Sequence, residues 1–290
     1  IYSNKDNEMS IYIISAIDGE FIDKVVTGYK NPDYEELHIL KPGIAWSSDN
    51  SRIAFAAKSG RKDALFIYKI KSKELKKVDL EIEGIFRPSW SPKQETIAFI
   101  GNNGSASDIY LYDINKDSLN FITNDLYSND QISWTADGNN ILFISDRGSY
   151  SNLGGARYKD DVFQDDIFIV NIENKKIKRL TDTPFNESYP LMNADGNMLA
   201  FISDESGINN IYLSGFENDL LISIVPITNV STGITQLSWN GDNSQLVFTG
   251  FRKSGYDIYL LSNPIDLMQN PKQIPFSQWI ENNIVDDESK

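Results

Sequence analysis

The sequence contains no cysteine and a single histidine, His38. The first absence removes disulfides, thiolate nucleophiles and Cys-ligated metals, while leaving the cellular compartment open. The second leaves one imidazole for the whole chain, so a zinc or iron centre built on His and Cys cannot be assembled. No run approaches eighteen apolar residues, so no helical membrane span is read. Basic residues are scarce: 27 Lys and Arg against 41 Asp and Glu leave a formal net charge of −14. Such a field repels phosphate backbones and argues against a nucleic-acid partner, while remaining compatible with a basic protein surface or Ca²⁺. There is no Gly-x-Ser-x-Gly elbow, no phosphate loop and no dinucleotide fingerprint. The chain opens Ile1-Tyr2 without Met or a signal-like stretch, and is read as processed or trimmed.

What the chain has is a repeat. Trp46, Trp90, Trp134 and Trp239 open similar segments, and nine residues after each comes a Phe: Phe55, Phe99, Phe143 and Phe248. A fifth copy runs from Met192 to Phe201. Turn formers lie between, as in Ala136-Asp137-Gly138-Asn139, so two strands joined by a tight turn follow. Eleven residues after the Phe a third strand is centred on Asp108-Ile109-Tyr110, Asn210-Ile211-Tyr212 or Asp257-Ile258-Tyr259. Asp166-Ile167-Phe168 belongs to this set but arrives fourteen residues late. A fourth strand ends in Ile122-Thr123, Leu180-Thr181 or Ile227-Thr228.

Each unit is four short strands in 44 residues, the interval from Trp46 to Trp90 and from Trp90 to Trp134. The second strands are apolar at consecutive positions, as in Ile97-Ala98-Phe99, so both of their faces need cover. Radially stacked sheets provide it. The reading is a single all-β domain over 1–290, a six-bladed β-propeller of four-stranded antiparallel blades. The blades are 277–290 plus 1–37, 43–82, 87–125, 131–183, 189–230 and 236–276. Tyr2 fits the Phe slot of the first, and the ring closes by N- and C-terminal segments sharing that blade.

The run Trp134-Thr135-Ala136-Asp137-Gly138, Ile141-Leu142-Phe143-Ile144-Ser145-Asp146, Asp166-Ile167-Phe168 and Arg179-Leu180-Thr181 resembles the WD40-like (PD40) repeat of TolB-type propellers. The resemblance implies a six-bladed ring, a periplasmic or otherwise extracytoplasmic location in bacteria, and protein–protein binding without catalysis. Similar propellers gate the active site of prolyl-oligopeptidase-like peptidases, so an accessory domain of a larger hydrolase is the alternative reading.

The recurring Trp, Phe and Asp read as structural, because an active-site residue has no reason to recur. Some propellers hydrolyse glycosides with paired acids, but most acids here occupy turns, such as Asp49, Asp137, Asp195 and Asp242. No cofactor is expected. Asp160-Asp161 and Asp165-Asp166 are the candidates for Ca²⁺, with a solvated acidic loop as the competing reading. Binding is expected where the repeat is broken, on the 149–162 insertion and the enlarged 29–42 connection, which emerge on the same face. The candidate residues are Tyr29, Tyr34, Tyr150, Arg157 and Tyr158, of types favoured at interfaces. The expected partner is a protein or a small extracellular ligand, bound by a monomer.

Overall fold

A computed structural model describes residues 1–28, 32–38, 41, 43–104, 106–147 and 164–275. The chain is all-β and is a six-bladed propeller. It divides into two compact units, 1–126 and 127–290.

The first unit opens with β1 (Tyr2–Ser3), β2 (Ser10–Ile14) and β3 (Phe21–Thr27), paired in chain order. In the second sheet β4 (Glu36–Leu37) and β5 (Ile44–Trp46) share one edge of β6 (Arg52–Ser59), followed by β7 (Lys62–Lys69) and β8 (Glu74–Val78). The third is β9 (Gly84–Trp90), β10 (Thr96–Asn102), β11 (Ser107–Asp113) and β12 (Ser118–Phe121).

In the second unit β13 (Asn129–Trp134), β14 (Asn140–Ser145), β15 (Asp166–Asn171) and β16 (Ile177–Arg179) form one blade. Next come β17 (Glu187–Met192), β18 (Met198–Ser203), β19 (Asn210–Glu217) and β20 (Leu220–Pro226). The last sheet has three strands among the described residues: β21 (Ile234–Trp239), β22 (Gln245–Arg252) and β23 (Gly255–Ser262). A 3-10 helix at Pro264–Gln269 follows β23. The expected closing of the first blade by the C-terminal segment lies outside the described residues.

The eleven-residue interval is a cross-strand pairing. Phe99 lies opposite Tyr110, Phe143 opposite Phe168, Phe201 opposite Tyr212 and Phe248 opposite Tyr259. Their ring centroids are 5.4–5.8 Å apart, within the range in which aromatic pairs add to burial. In the first blade the slot opposite Tyr12 belongs to Ile1, not Tyr2. Tyr12 N–H donates to Ile1 O at 2.8 Å, and Tyr2 lies opposite Ile11. The interval of eleven from Ile1 to Tyr12 is the one that holds elsewhere.

The core is built between neighbouring sheets. Leu65 and Ile67 of β7 pack with Ile97 and Phe99 of β10, and Leu142, Ile144, Ile167 and Ile169 pack with Leu199, Phe201 and Tyr212. Phe55, Phe99 and Phe143 are fully buried and Trp90 and Trp134 nearly so, whereas Trp46 is 45% exposed and departs from its expected core role. The central strands β6, β7, β10, β14, β15 and β18 are buried at consecutive apolar positions and so on both faces, as the apolar runs require.

The first strand of four of the sheets carries a β-bulge. Register shifts fall between the partners of Ala98 and Ile100, at Asp130/Ser133, at Ser188/Leu191 and at Thr235/Leu237. In each, a non-glycine residue has left-handed φ: Arg87 52°, Gln131 52°, Tyr189 50° and Gln236 58°. In the second sheet the same place holds a longer excursion, since Leu37 pairs with Ala57 and Ile44 with Phe55. Glu36–Leu37, assigned from spacing to the end of the first blade, thus begins the second, and the extra residues of the 29–42 connection are in part a bulge grown into a loop.

Candidate functional site

The recurring polar residues hold the scaffold. Thr123 Oγ1 accepts from Ile109 N–H at 2.9 Å and donates to Asp108 Oδ1 at 2.9 Å. Thr228 does the same between Ile211 N–H (2.9 Å) and Asn210 Oδ1 (3.0 Å). The hairpin acids act alike: Asp137 accepts from Thr135 Oγ1 and Asn139 N–H, and Asp242 from Ser244 N–H. These are side-chain-to-backbone clasps that satisfy otherwise orphaned groups.

Departures from the repeat mark two places, one in each unit. In the first unit His38, on the excursion between β4 and β5, has Nε2 2.8 Å from Asp63 Oδ2. The Asp63 side chain is 5% exposed, and the same oxygen accepts from Ile85 N–H at 2.8 Å. The imidazole lies 5.0 Å from the ring of Phe86, which also has Lys41 Nζ 5.7 Å from its centroid. His38 therefore anchors the excursion against the next blade. A Cβ on Gly43 would stand 2.6 Å from Arg87 Cα and 2.5 Å from Pro88 Cδ, so the returning chain passes hard against the bulge of β9.

Of the residues expected to bind, Tyr34 is 3% exposed. Its ring meets Phe55 and Phe66 edge-on at 6.2 and 5.4 Å, and its hydroxyl donates to Thr27 O. It packs beneath the connection and presents no ring to a partner. Tyr29, Tyr150, Arg157 and Tyr158 lie outside the described residues, as do Asp160 and Asp161.

In the second unit the C-terminal stem of the insertion rests on the connection between β16 and β17. Gln164 Nε2 donates to Thr183 O and to Phe185 O (2.6 Å for the latter). Asp165 N–H donates to Asn186 Oδ1 at 3.2 Å, and Glu187 N–H to Asp165 O at 2.9 Å. Stem and interblade connection thus emerge together from the same end of their blades.

Beneath them lie two carboxylates: Asp166, in the slot that Asp108 and Asp257 fill elsewhere, and Glu187, which has no acidic counterpart in the slot of Ile85, Asn129 and Ile234. Asp166 is fully buried; Arg179 Nη2 donates to its Oδ2 at 2.5 Å, and its Oδ1 has no hydrogen-bond partner. Burial outweighs the guanidinium and pushes its carboxyl up to about 6. Glu187 is 1% exposed; Thr183 Oγ1 donates to its Oε1 at 2.5 Å, and its Oε2 has no partner. Burial, aided by the charges of Asp166 and Asp204, pushes it up to about 8 against the pull of the Thr183 and Thr181 hydroxyls. Shifted carboxylates are a signature of catalytic pairs, but these two are shut from solvent. Asp166 also has a guanidinium where a bound Ca²⁺ would compete, and no group of three or more acidic or imidazole ligands gathers among the described residues.

Sequence reading missed this pair and the bulges. Glu187 lies five residues before Met192, a slot held by Ile85, Asn129 and Ile234 in the other complete blades, and an acid in an otherwise apolar or neutral slot was the available signal. Pro88 and Pro190, each directly after a left-handed residue, were the signal for the bulges, because proline within a strand belongs at an edge or a bulge.

The model of the TolB beta propeller domain (PD40) matches residues 5–159, just over half of the chain. The chain belongs to the TolB β-propeller family. No curated protein matches by sequence. Among solved structures, TolB from Acinetobacter baumannii is similar with a TM-score of 0.64 at 20% identity, over 88% of this chain and 57% of that one. An oligogalacturonate lyase in complex with manganese is similar at 0.58 and 15% identity, over 92% and 77%. A prolyl endopeptidase is similar at 0.56 and 14%, over 92% of this chain and 39% of the other. The chain therefore spans little more than half the length of that TolB. At these identities the structural likenesses establish the fold, which hosts binding and catalysis alike.

Proposed function

We propose that this chain is a non-enzymatic recognition module, held outside the cytoplasm, that binds a protein partner or small extracellular ligand through the blade ends carrying the 29–42 and 149–162 segments. The observation that carries the reading is the inaccessibility of its perturbed polar groups. Asp166 and Glu187 are within 1% of complete burial, and the only imidazole sits against Asp63 and Phe86. A general acid must come within hydrogen-bond reach of the proton it transfers. These groups instead fasten the enlarged segments to their blades. A rigid scaffold with elaborated connections is the usual construction of a binding surface.

The test compares the wild type with a Tyr150→Ala/Tyr158→Ala variant, immobilised in parallel and challenged with an extracytoplasmic extract. The expected result is a partner retained by the wild type and depleted at least about tenfold by the variant, with an unchanged melting temperature. Equal retention would remove the binding assignment. Turnover of oligogalacturonate or of proline-containing peptides by the purified wild type would overturn the non-enzymatic reading and favour a lyase or hydrolase role.

A further inference from the structure

The seam between β15 and β17 combines features that the repeat does not require. Asp166 opens β15 and Glu187 opens β17, each with an unpartnered carboxylate oxygen at zero or 1% exposure. The complete blades elsewhere place Asn129, Ile85 or Ile234 in the slot of Glu187, and no arginine occupies the slot of Arg179, which holds Phe121 and Pro226. Two departures from the repeat, Glu187 and Arg179, thus converge on Asp166 at the blade that carries the fourteen-residue insertion. In two other blades a threonine hydroxyl clasps the residue near the start of the third strand. Here Thr181 still accepts from Ile167 N–H at 2.8 Å, but its hydroxyl helps to hold Glu187.

Charge around Glu187 is unbalanced. Asp166 faces it from β15, and Asp204 from the turn after β18. Glu205 and Tyr212 of β19 adjoin the same group, with Glu205 in turn bearing on Tyr212. Asp182 lies on the connection from β16, where it shares Arg179 with Asp166 at 3.0 Å. Two described cations stand near the pair and both are engaged: Arg179 by two carboxylates, and Arg147, whose Nε donates to Ser145 Oγ across the ladder from Asp166, by Asn129 Oδ1 at 2.7 Å. A second buried negative charge has no counterion, which a carboxyl group in this position avoids by keeping its proton.

We propose that Glu187 is a proton-operated latch: as a neutral acid it closes the seam between β15 and β17, and on losing its proton it opens that seam locally. The seam consists of the Glu187 N–H to Asp165 O bond, the Gln164 bonds to Thr183 O and Phe185 O, and the Asp165 N–H to Asn186 bond. Of the two buried carboxyls at the seam, Asp166 is raised to about 6 and Glu187 to about 8, so between those values it is Glu187 that changes charge. Ionised Glu187 is repelled by Asp166 and Asp204 and draws water toward a pocket that has no donor for Oε2. Low-stability regions of this kind open without global unfolding. The latch is independent of what the surface binds, so its failure leaves the recognition reading untouched.

The test is amide hydrogen exchange of the full chain from about pH 6 to about pH 9, corrected for the intrinsic rise of exchange with pH. Protection at Glu187, Asp165 and Asn186 is expected to fall at least about tenfold across that range, while the amides of Ile85 and Ile211 hold theirs. In Glu187→Gln, which retains an acceptor for Thr183 Oγ1, protection at the seam is expected to stay constant. Identical profiles in the two proteins would overturn the latch. Should the variant fail to fold, carboxyl-labelled glutamate in the wild type decides by nuclear magnetic resonance. One glutamate titrating far above the others supports the proposal, and all titrating together in the ordinary range overturns it. Restoration of protection at high pH by millimolar Ca²⁺ would also overturn it, because the pair would then serve a cation rather than a proton.

Discussion

At the scale of single residues, position in the repeat predicts the cost of a change better than residue type does. Phe99 is fully buried, stacks on Tyr110 and packs with Leu65 and Ile67, so Phe99→Ala should cost about 3–5 kcal/mol through lost transfer energy and the cavity left behind. Trp46→Ala should cost less, about 1–3 kcal/mol, although Trp46 occupies a repeated slot, because nearly half its surface is already exposed. Urea unfolding of both variants checks the ordering, and equal losses would show that Trp46 is covered in solution. Tyr34 makes the same point from the other side. Its residue type suggested a contact for a partner, but its ring lies edge-on against the stacked pair of Phe55 and Phe66. Tyr34→Ala is therefore expected to lower stability by several kcal/mol, as other large-to-small aromatic changes do, and to affect binding only through unfolding.

At the scale of elements, what was legible in the sequence was what the hairpin makes periodic. The intervals of nine and eleven residues reflect strand, turn and opposing strand, and the aromatic pairs they join meet across β10 and β11, β14 and β15, and β18 and β19. The slip from Ile1 to Tyr2 arose because aromaticity was weighed above spacing. The bulges stayed hidden because Arg87, Gln131, Tyr189 and Gln236 share a backbone conformation and no side-chain chemistry. The acid pair stayed hidden because burial of Glu187 depends on the neighbouring blade's Thr181, Thr183 and Asp166 as well as on its own strand. Two element-level expectations follow from the described bonds. Thr228→Val should cost about 1–3 kcal/mol, since it strands the buried Ile211 N–H and one acceptor on Asn210. For Glu187, the folded-state carboxyl is raised above its ordinary value of 4.5 to about 8. Its stabilising contribution as a neutral acid is then complete below the ordinary glutamate range and is lost as pH rises through about 8. Wild-type stability should fall relative to Glu187→Gln over that window in denaturant titrations, and parallel pH profiles would contradict the assignment.

At the scale of the whole molecule, the excess of fourteen negative charges acts on all six blades at once. Many of the acids are engaged locally: Asp49 with Ser47 and Ser51, Asp137 with Thr135 and Asn139, Glu95 in a bidentate pair with Arg52 at 2.7 and 2.8 Å. Such bonds fix turns and hairpins without cancelling net charge, so the folded chain carries its self-repulsion at neutral pH. Salt screens exposed charges over roughly 8–10 Å near physiological ionic strength, while buried pairs such as Arg179 with Asp166 feel little of it. Raising sodium chloride from about 0.01 M to about 0.15 M shortens the Debye length nearly fourfold, from about 30 Å to about 8 Å, and should therefore increase the melting temperature by a few degrees. A fall in melting temperature instead would mean that surface ion pairs, weakened by the same screening, outweigh the repulsion. The sign of that single measurement separates a surface charged to attract a basic partner from one whose charges are matched within the fold.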